Sequence, residues 1–331
     1  MKTITYTKKD FCWIDWSVGD IKNVASEIIK EKKKRYTKIK AIKKGEHTFE
    51  NTILALEASD YDLSDRAGFI NVLGQASTDK KIRDSAKDAE EYLSKNGIEI
   101  EYDEAIYKAV MDYIKHGRRK DKLSNEDKKL LKDMLTSYKR MGFELPLNKR
   151  NKLKGNLKKL SKFSNNFLYN INEYKDYIEV TEEELEGLSE NYIKGLQKNK
   201  KGKYVVTLEY PDYIPFMSNA KCHSKRRKLM DKNLMKGGKK NIKLLENIIE
   251  LRQMNAKILG YKNYADFRIE TKMAKNAKNV MAFLDNLIIK IKKKAKEDLR
   301  GLENIKRKDI KNKKAKLMYY DIGYYIDKSM K

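Results

Sequence analysis

Ser124–Gly142, with the sequence SNEDKKLLKDMLTSYKRMG, decides the fold class. Its first four residues favour a helix start, because a serine can cap free N–H groups and acidic side chains complement the helix dipole. Apolar side chains then recur with the helical period, at Leu130, Leu131, Met134, Leu135 and Tyr138. The stretch predicts an amphipathic helix that ends at Met141-Gly142 and buries one face.

The same pattern recurs along most of the chain. We expect further helices from Ile21, after the cap region Ser17–Asp20, and at about 53–56, 78–96, 102–115, 146–175, 222–236, 240–259, 263–270, 276–304 and 312–330. The helix from Pro146 is expected to be the longest. Proline is tolerated near its start, because first-turn N–H groups have no helical partner.

One segment predicts a strand instead. Gly202–Tyr210 is rich in β-branched and aromatic residues and is stopped by Pro211. Because 3 prolines and 16 glycines leave few helix breakers, the sequence predicts a mostly α protein with one short strand or hairpin near 203–210. A change of composition near 199–220 divides the expected helical regions into 1–200 and 201–331.

Composition favours a soluble protein of a reducing, cytoplasmic compartment. No stretch approaches the roughly 20 apolar residues that a membrane helix needs, and Met1–Lys9 lacks the apolar region of a secretory signal. Cys12 and Cys222 are far apart and form no CxxC motif, which argues against a disulfide framework.

The formal net charge of +27 raises the possibility of nucleic-acid binding. However, only 13 of the 75 basic residues are arginines, and the basic residues are spread along the chain. Arginine is the residue that recognises phosphates and bases with two hydrogen bonds. The charge is therefore more typical of a solvated lysine-rich surface, and a lysine-driven nucleic-acid binder stays as an alternative.

The sequence contains no recognisable catalytic motif. A helical zinc hydrolase needs two histidines at i and i+4 with a glutamate between them, whereas His47, His116 and His223 are isolated and HExxH is absent. We interpret Cys222-His223 as a helix start. GxSxG is also absent, and Gly237–Lys240 lacks the spacing of a phosphate-binding loop and predicts a turn.

Three other clusters have structural explanations. Glu182–Glu184, after Thr181, predicts a capping box at a helix start. A second acidic cluster predicts a helix end and loop; it comprises Glu57, Asp60, Asp62 and Asp65. A cluster of tyrosines predicts an aromatic packing helix rather than a surface for stacking bases; it comprises Tyr319, Tyr320, Tyr324 and Tyr325.

Several segments, taken in order, resemble the thimet oligopeptidase family of zinc metallopeptidases, which includes neurolysin and oligopeptidase A. They are Thr48–Glu57, Ser77–Ala86, Leu123–Leu131 with Tyr138–Gly142, Val205–Met217, Leu251-Arg252 with Ala256–Phe267, Met273-Ala274 and Tyr320–Tyr325. Ala256–Phe267 is similar to the family's "LLGYxNYAD" stretch. Tyr320–Tyr325 is similar to its "WDxxYY" pattern, with Tyr320 in place of the tryptophan.

The resemblance implies a neurolysin-like N-terminal lobe of many helices, in a family that cleaves short peptides with one zinc ion. The family's HExxH helix, third zinc ligand and substrate-binding loop lie in the second half of a chain about twice this length. The resemblance therefore assigns no catalytic, cofactor-binding or metal residue to this chain, and we expect zinc to be held by the missing half.

The favoured hypothesis is the N-terminal part of a zinc metalloendopeptidase, inactive by itself. Its expected partners are short peptides and a catalytic half supplied as a second chain. The alternative, from a different functional class, is a non-catalytic helical protein that binds peptides without cleaving them.

Overall fold

The computed structural model describes residues 13–330, and these form two compact units. Unit 1 comprises the described residues up to Asn172 together with Lys243–Phe267, and unit 2 comprises Glu173–Ile242 with the described residues from Arg268 onward. Both units are discontinuous in sequence. The predicted division into 1–200 and 201–331 stays a prediction, as does the interpretation of Met1–Lys9, which lies outside the described residues.

Unit 1 is helical. Its elements are α1 (Val18–Lys40), a π-helix (Phe49–Leu54) that runs into α2 (Ala55–Glu57), α3 (Tyr61–Ala76), α4 (Lys80–Glu101), α5 (Glu104–Asp112), a second π-helix (Tyr113–Gly117), α6 (Asn125–Arg140) and α7 (Leu147–Asn172). The helices α11 (Gly238–Ile258) and α12 (Tyr264–Ile269) each cross a boundary between the units.

Capping starts two of these helices where the sequence indicates. The Ser17 side chain accepts the Asp20 N–H at 3.2 Å, and the Asp20 carboxylate accepts the Ser17 N–H at 2.8 Å. The same reciprocal pair joins Ser124 and Asp127 at the start of α6. Each pair satisfies N–H groups that a first turn leaves without helical partners. Both predicted cap regions are confirmed, and α1 begins at Val18, three residues before the expected Ile21.

The core of unit 1 lies on two faces of α1. Ile21, Ala25 and Ile28 pack in one buried cluster with residues of α3 and α4, and Ile29 and Ile39 belong to a second cluster with residues of α5 and the π-helices. In turn, α4 packs against α7. The helix α1 is therefore buried along much of its length, as its apolar spacing predicts.

Unit 2 contains a small antiparallel sheet and further helices. The strands are β1 (Tyr177–Val180), β2 (Gln197–Lys198) and β3 (Tyr204–Thr207), in the spatial order β1-β3-β2. The helices are α8 (Glu190–Gly195), α9 (Tyr210–Asn219), α10 (His223–Leu234), α13 (Ala277–Asp309) and α14 (Ile322–Met330). The mostly α fold and the strand within 203–210 are confirmed.

The sheet is larger than the single expected strand. β1 pairs with β3 from Tyr177 opposite Thr207 to Val180 opposite Tyr204, and β2 adds two residues on the other edge of β3. Residues of β3 alternate between buried and half-buried, as period-two patterning requires. β1 and β2 are four and two residues long, shorter than the runs from which a strand is usually recognised in sequence.

Some helix predictions were wrong in extent. The longest described helix is α13, with 33 residues, rather than α7, with 26. The expected helix over 312–330 begins only near Tyr319, with one 3₁₀ turn before α14. The segment before it is held as a loop, because Lys306 donates to the Lys316 carbonyl and Arg307 to the Ala315 carbonyl.

The turn between α10 and α11 lies where the sequence predicts it. Gly237 and Gly238 have φ of +81° and +57°, a region that residues with a Cβ rarely occupy. The predicted turn at Gly237–Lys240 is thus confirmed at its glycines. Within residues 13–330, we find no helix with both the length and the apolar composition of a membrane span.

Candidate functional site

Two of the three histidines converge on one carboxylate in unit 1. Asp112 ends α5, His116 lies one turn later in the second π-helix, and His47 precedes the first π-helix. The Nε2 atoms of His47 and His116 lie 4.0 Å and 3.7 Å from the Asp112 carboxylate oxygens. The Gly45 N–H donates to the same carboxylate at 2.7 Å. Sequence reasoning treated these histidines as isolated and missed the cluster.

This cluster lacks the geometry of a metal centre. The His47 Nδ1 atom pairs with Thr52 Oγ1 at 2.9 Å, so the ring presents its Nε2 atom to Asp112. Among residues 13–330, no group of three His, Cys, Asp or Glu side chains is placed to hold a metal ion. Lysines also line the cavity beside it; they are Lys40, Lys44, Lys108 and Lys115. Their positive charge opposes cation binding.

The third histidine lies elsewhere. His223 is the first residue of α10, and Cys222 occupies the N-cap position. The Cys222 sulfur is 3.3 Å from the Ser224 hydroxyl, which completes a local polar contact at the helix start. The predicted helix-start role of this pair is confirmed. Cys12 lies outside the described residues.

An acidic cavity of about 390 Å³ lies in unit 1. Its carboxylates come from separate parts of the chain, namely Glu57, Asp60, Glu101 and Asp133, and its floor from apolar and aromatic side chains that include Leu56, Tyr36, Met134 and Tyr138. Such a cavity suits a ligand with an apolar stem and a cationic end, because carboxylates attract the charge while the floor covers the stem.

The surroundings of this cavity shift the pKa values of two of its side chains. Desolvation around the Glu101 carboxyl raises its pKa, and the nearby charge of Asp60 adds to the effect while Lys32 opposes it. Desolvation also raises the pKa of Tyr138 to about 12. Lys32 forms an ion pair with Asp60 at 2.8 Å. Among the described residues, no comparable ion pair holds Glu57 or Glu101, so those two carboxylates are available to a ligand.

The four acidic residues that lie close in sequence around residue 60 have different surroundings in the structure. Glu57 ends α2 and Asp60 precedes α3, and both line the cavity. The predicted loop is wrong for Asp62 and Asp65, because α3 already begins at Tyr61. Arg35 hydrogen-bonds Asp62 at 2.6 and 2.9 Å, which lowers the pKa of that carboxyl to about 2.

The Glu182–Glu184 cluster has the structural role that the sequence predicts, in a shorter element. The Glu184 carboxylate accepts the Thr181 N–H at 2.9 Å and pairs with Lys225 at 3.0 Å. The element that follows is one 3₁₀ turn, Glu183–Leu185. The Glu184 carboxylate is thus occupied by capping and ion pairing.

A buried ionic network lies at the C-terminal end of unit 2. Asp321 is fully buried and accepts hydrogen bonds from Arg226 at 2.7 Å and Lys306 at 2.5 Å. It also accepts the Met318 N–H at 3.1 Å. The Arg226 guanidinium lies 4.2 Å from the centre of the Tyr324 ring. A buried network of this kind ties α10, α13 and the start of α14 to one another.

The tyrosines beside this network pack inside unit 2. Tyr320, Tyr324 and Tyr325 are buried, which confirms the predicted packing role. Tyr319 is partly exposed, and its hydroxyl hydrogen-bonds Asp231, which raises the pKa of Tyr319. Of these four tyrosines, only Tyr319 presents a substantial surface.

Comparison with known proteins places this arrangement in a family context. Residues 216–331 match Peptidase family M3. The chain is 30% identical to a thimet-like oligopeptidase of Dictyostelium discoideum, and the alignment covers 93% of this chain and 46% of the relative. For saccharolysin of Saccharomyces cerevisiae the identity is 29%, covering 95% and 46%. For oligopeptidase A of Haemophilus influenzae it is 26%, covering 89% and 45%.

The fold is also similar to a solved structure, described as an oligoendopeptidase F from Bacillus anthracis str. Ames. The TM-score is 0.50 at 15% sequence identity, and the match covers 91% of this chain and 48% of that one. At this identity the likeness concerns the fold alone. It accords with the mostly helical architecture described above.

These matches confirm the resemblance that the sequence motifs indicate. The chain spans about half the length of the curated relatives it matches. The chain is similar to the thimet oligopeptidases over most of its length, and its residues 216–331 match Peptidase family M3.

Proposed function

We propose that this chain forms the N-terminal, non-hydrolytic part of a thimet-oligopeptidase-like zinc metalloendopeptidase. The observation that carries the proposal is the alignment of about nine-tenths of the chain with less than half of each relative, in a sequence without HExxH. On this proposal the chain supplies a helical wall around the peptide, and the part of the relatives' length that it does not span supplies zinc and its ligands.

The histidines of this chain support the non-hydrolytic assignment. A zinc peptidase needs ligands that converge on one metal ion and leave a position open for water. His47 and His116 lie 69 residues apart in sequence, and His223 lies at a helix start in the other unit. Nothing in this set resembles a histidine pair with a general base between them.

The test is complementation of peptide hydrolysis. The chain is assayed with zinc and a quenched fluorescent peptide, alone and after co-expression with the part of the Dictyostelium relative outside its alignment. We expect no hydrolysis by the chain alone and an increase over the catalytic part alone when both are present. Hydrolysis by the chain alone, sensitive to a zinc chelator, would refute the proposal.

A second candidate function is peptide binding without cleavage, supported by the acidic cavity of unit 1. A lysine or arginine side chain of a short peptide fits its carboxylates and its apolar floor. Calorimetry with a lysine-containing peptide and its glutamate-substituted control tests this function. We expect heat only with the lysine peptide, and loss of that heat in Glu57→Gln/Glu101→Gln but not in Glu126→Gln. Equal heats for both peptides would remove this candidate.

A further inference from the structure

The N-terminal two-thirds of α13 carry an apolar face that nothing in the structure covers. Every residue from 281 to 300 is exposed. Exposed large apolar side chains nevertheless recur on one side of this segment with the helical period, at Phe283, Leu284, Leu287, Ile288 and Ile291. We call these five side chains the α13 face. An apolar surface of this kind marks an interaction site, since water is a poor solvent for it.

The same side of the helix is packed further along. Leu302 and Ile305 lie about three and four turns beyond Ile291 and are half-buried, and this end of α13 packs against α14. The ion pair between Lys294 and Asp298 separates the two regions. The helix is therefore anchored in unit 2 by its C-terminal turns and extends its apolar N-terminal turns into solvent.

The positive charge beside the α13 face indicates which kind of partner can bind it. The segment 290–296 overlaps the end of the α13 face and contains five lysines in seven residues. At 100° per residue, Lys290 and Lys294 lie at the edge of that face. A second copy of this chain would bring the same basic segment to the interface, where like charges repel. A partner with an apolar groove flanked by carboxylates would complement both the face and its charge.

We propose that the α13 face is the docking surface for the catalytic half of an M3-type peptidase, which is the part of the relatives' length that this chain does not span. This inference rests on the proposed function. It draws on the location of α13 inside the region that matches Peptidase family M3, and on the coverage of only 43–46% of the relatives' length. The predicted partner surface is apolar at its centre and acidic at its rim.

Two isoleucines on opposite sides of the helix provide a matched test. Ile291 belongs to the α13 face and is 50% exposed, whereas Ile289 lies about 160° away around the helix and is 74% exposed. Lysine at Ile291 would place a charge in the interface, while lysine at Ile289 would point away from it. Both substitutions occur at exposed sites in the same turn, so their effects on folding are comparable.

The probe is the part of the Dictyostelium thimet-like oligopeptidase outside its alignment with this chain, tagged, zinc-loaded and shown to be folded by circular dichroism. We expect it to retain the full chain and the Ile289→Lys variant with similar affinity, and Ile291→Lys at least ten-fold more weakly. Equal retention of all three, or retention of none, would overturn the docking surface.

Two further measurements distinguish other molecules that could cover the α13 face. Sedimentation of the chain alone should show a monomer; a dimer that Ile291→Lys dissociates and Ile289→Lys preserves would mean that a second copy covers the α13 face. Binding to phosphatidylserine vesicles that Ile291→Lys abolishes and Ile289→Lys preserves would identify a membrane instead. If the chain alone lacks peptidase activity while capture ignores Ile291→Lys, the docking surface fails and the proposed function stands.

Discussion

Replacing Asp321 with alanine tests the claim that the buried ionic network holds the C-terminal end of unit 2 together. The substitution removes the shared acceptor of Arg226, Lys306 and the Met318 N–H. Arg226 is 1% exposed, so its guanidinium would stay buried without its counter-ion. The Tyr324 ring and two backbone carbonyls would remain as its partners, and none of these three groups carries a charge.

The expected decrease in the free energy of unfolding is large for the removal of one side chain. Removing one member of a buried ion pair typically costs about 3–5 kcal/mol, because the remaining charge is desolvated without compensation. With a urea dependence of about 2 kcal/mol per molar, the unfolding midpoint of unit 2 should fall by roughly 2 M. The midpoint of the Asp321→Asn variant should fall by less, since the asparagine amide oxygen can still accept a hydrogen bond.

Hydrogen exchange at increasing urea concentrations provides the assay, read on peptides from α10 and α14. The control is Glu190→Ala, which removes the exposed partner of Lys194 in the same unit and should cost about 1 kcal/mol or less. A loss below about 1 kcal/mol for Asp321→Ala, or an effect equal to that of the control, would refute the reasoning about buried charge.

Two further predictions concern unit 1. Gly117→Ala should destabilise it by about 1–3 kcal/mol, because a Cβ there would lie 2.3 Å from the His47 carbonyl oxygen; urea unfolding measures the loss. Glu90 has a pKa raised by desolvation, against the opposing hydrogen bond from Asn71 at 2.6 Å. Its contribution to stability is therefore present at acid pH and is lost as pH rises through the raised pKa, so Glu90→Gln should raise the urea midpoint at pH 7 and leave it nearly unchanged at pH 4.

Each of these two predictions has a control within the same unit. Gly155→Ala in α7 meets nothing within 4 Å and should stabilise the helix by about 0.5–1 kcal/mol. Destabilisation by both alanines would show that packing at Gly117 is not the cause. Glu91→Gln changes the neighbouring carboxyl. If it raised the pH 7 midpoint as much as Glu90→Gln does, desolvation at Glu90 would not explain the effect.

The helices were predictable where their signals are local. Ser17 and Ser124 mark helix starts because their hydrogen bonds close within three residues, a distance that a sequence pattern can show. The ends were less predictable. α4 continues through Gly97 to Glu101, because packing of the helix outweighs the modest helix propensity cost of one glycine.

The sheet could be predicted only in part, because strand pairing is not local. β3 has enough β-branched and aromatic residues to be recognised alone. β1 and β2 become strands through hydrogen bonds to β3, and β1 is separated from β3 by more than twenty residues. No pattern within their own four and two residues indicates that pairing.

The clusters of charged groups were the least predictable features. Arg226 and Asp321 lie 95 residues apart, so no spacing rule connects them. The Asp112–His116 pair has the i, i+4 spacing of one helix face and could have been noticed. The approach of His47 could not, since it depends on how the loop before the first π-helix packs against α5 and the second π-helix.

The central claim is that this chain contributes a non-hydrolytic part of an M3-type peptidase. The most direct measurement is zinc-dependent cleavage of a quenched fluorescent oligopeptide by the purified chain, beside a His47→Gln/His116→Gln variant. We predict that neither protein cleaves the peptide above the buffer rate, with zinc or with a chelator. Chelator-sensitive cleavage by the chain that the double variant loses would contradict the account and would locate a catalytic centre at His47, Asp112 and His116.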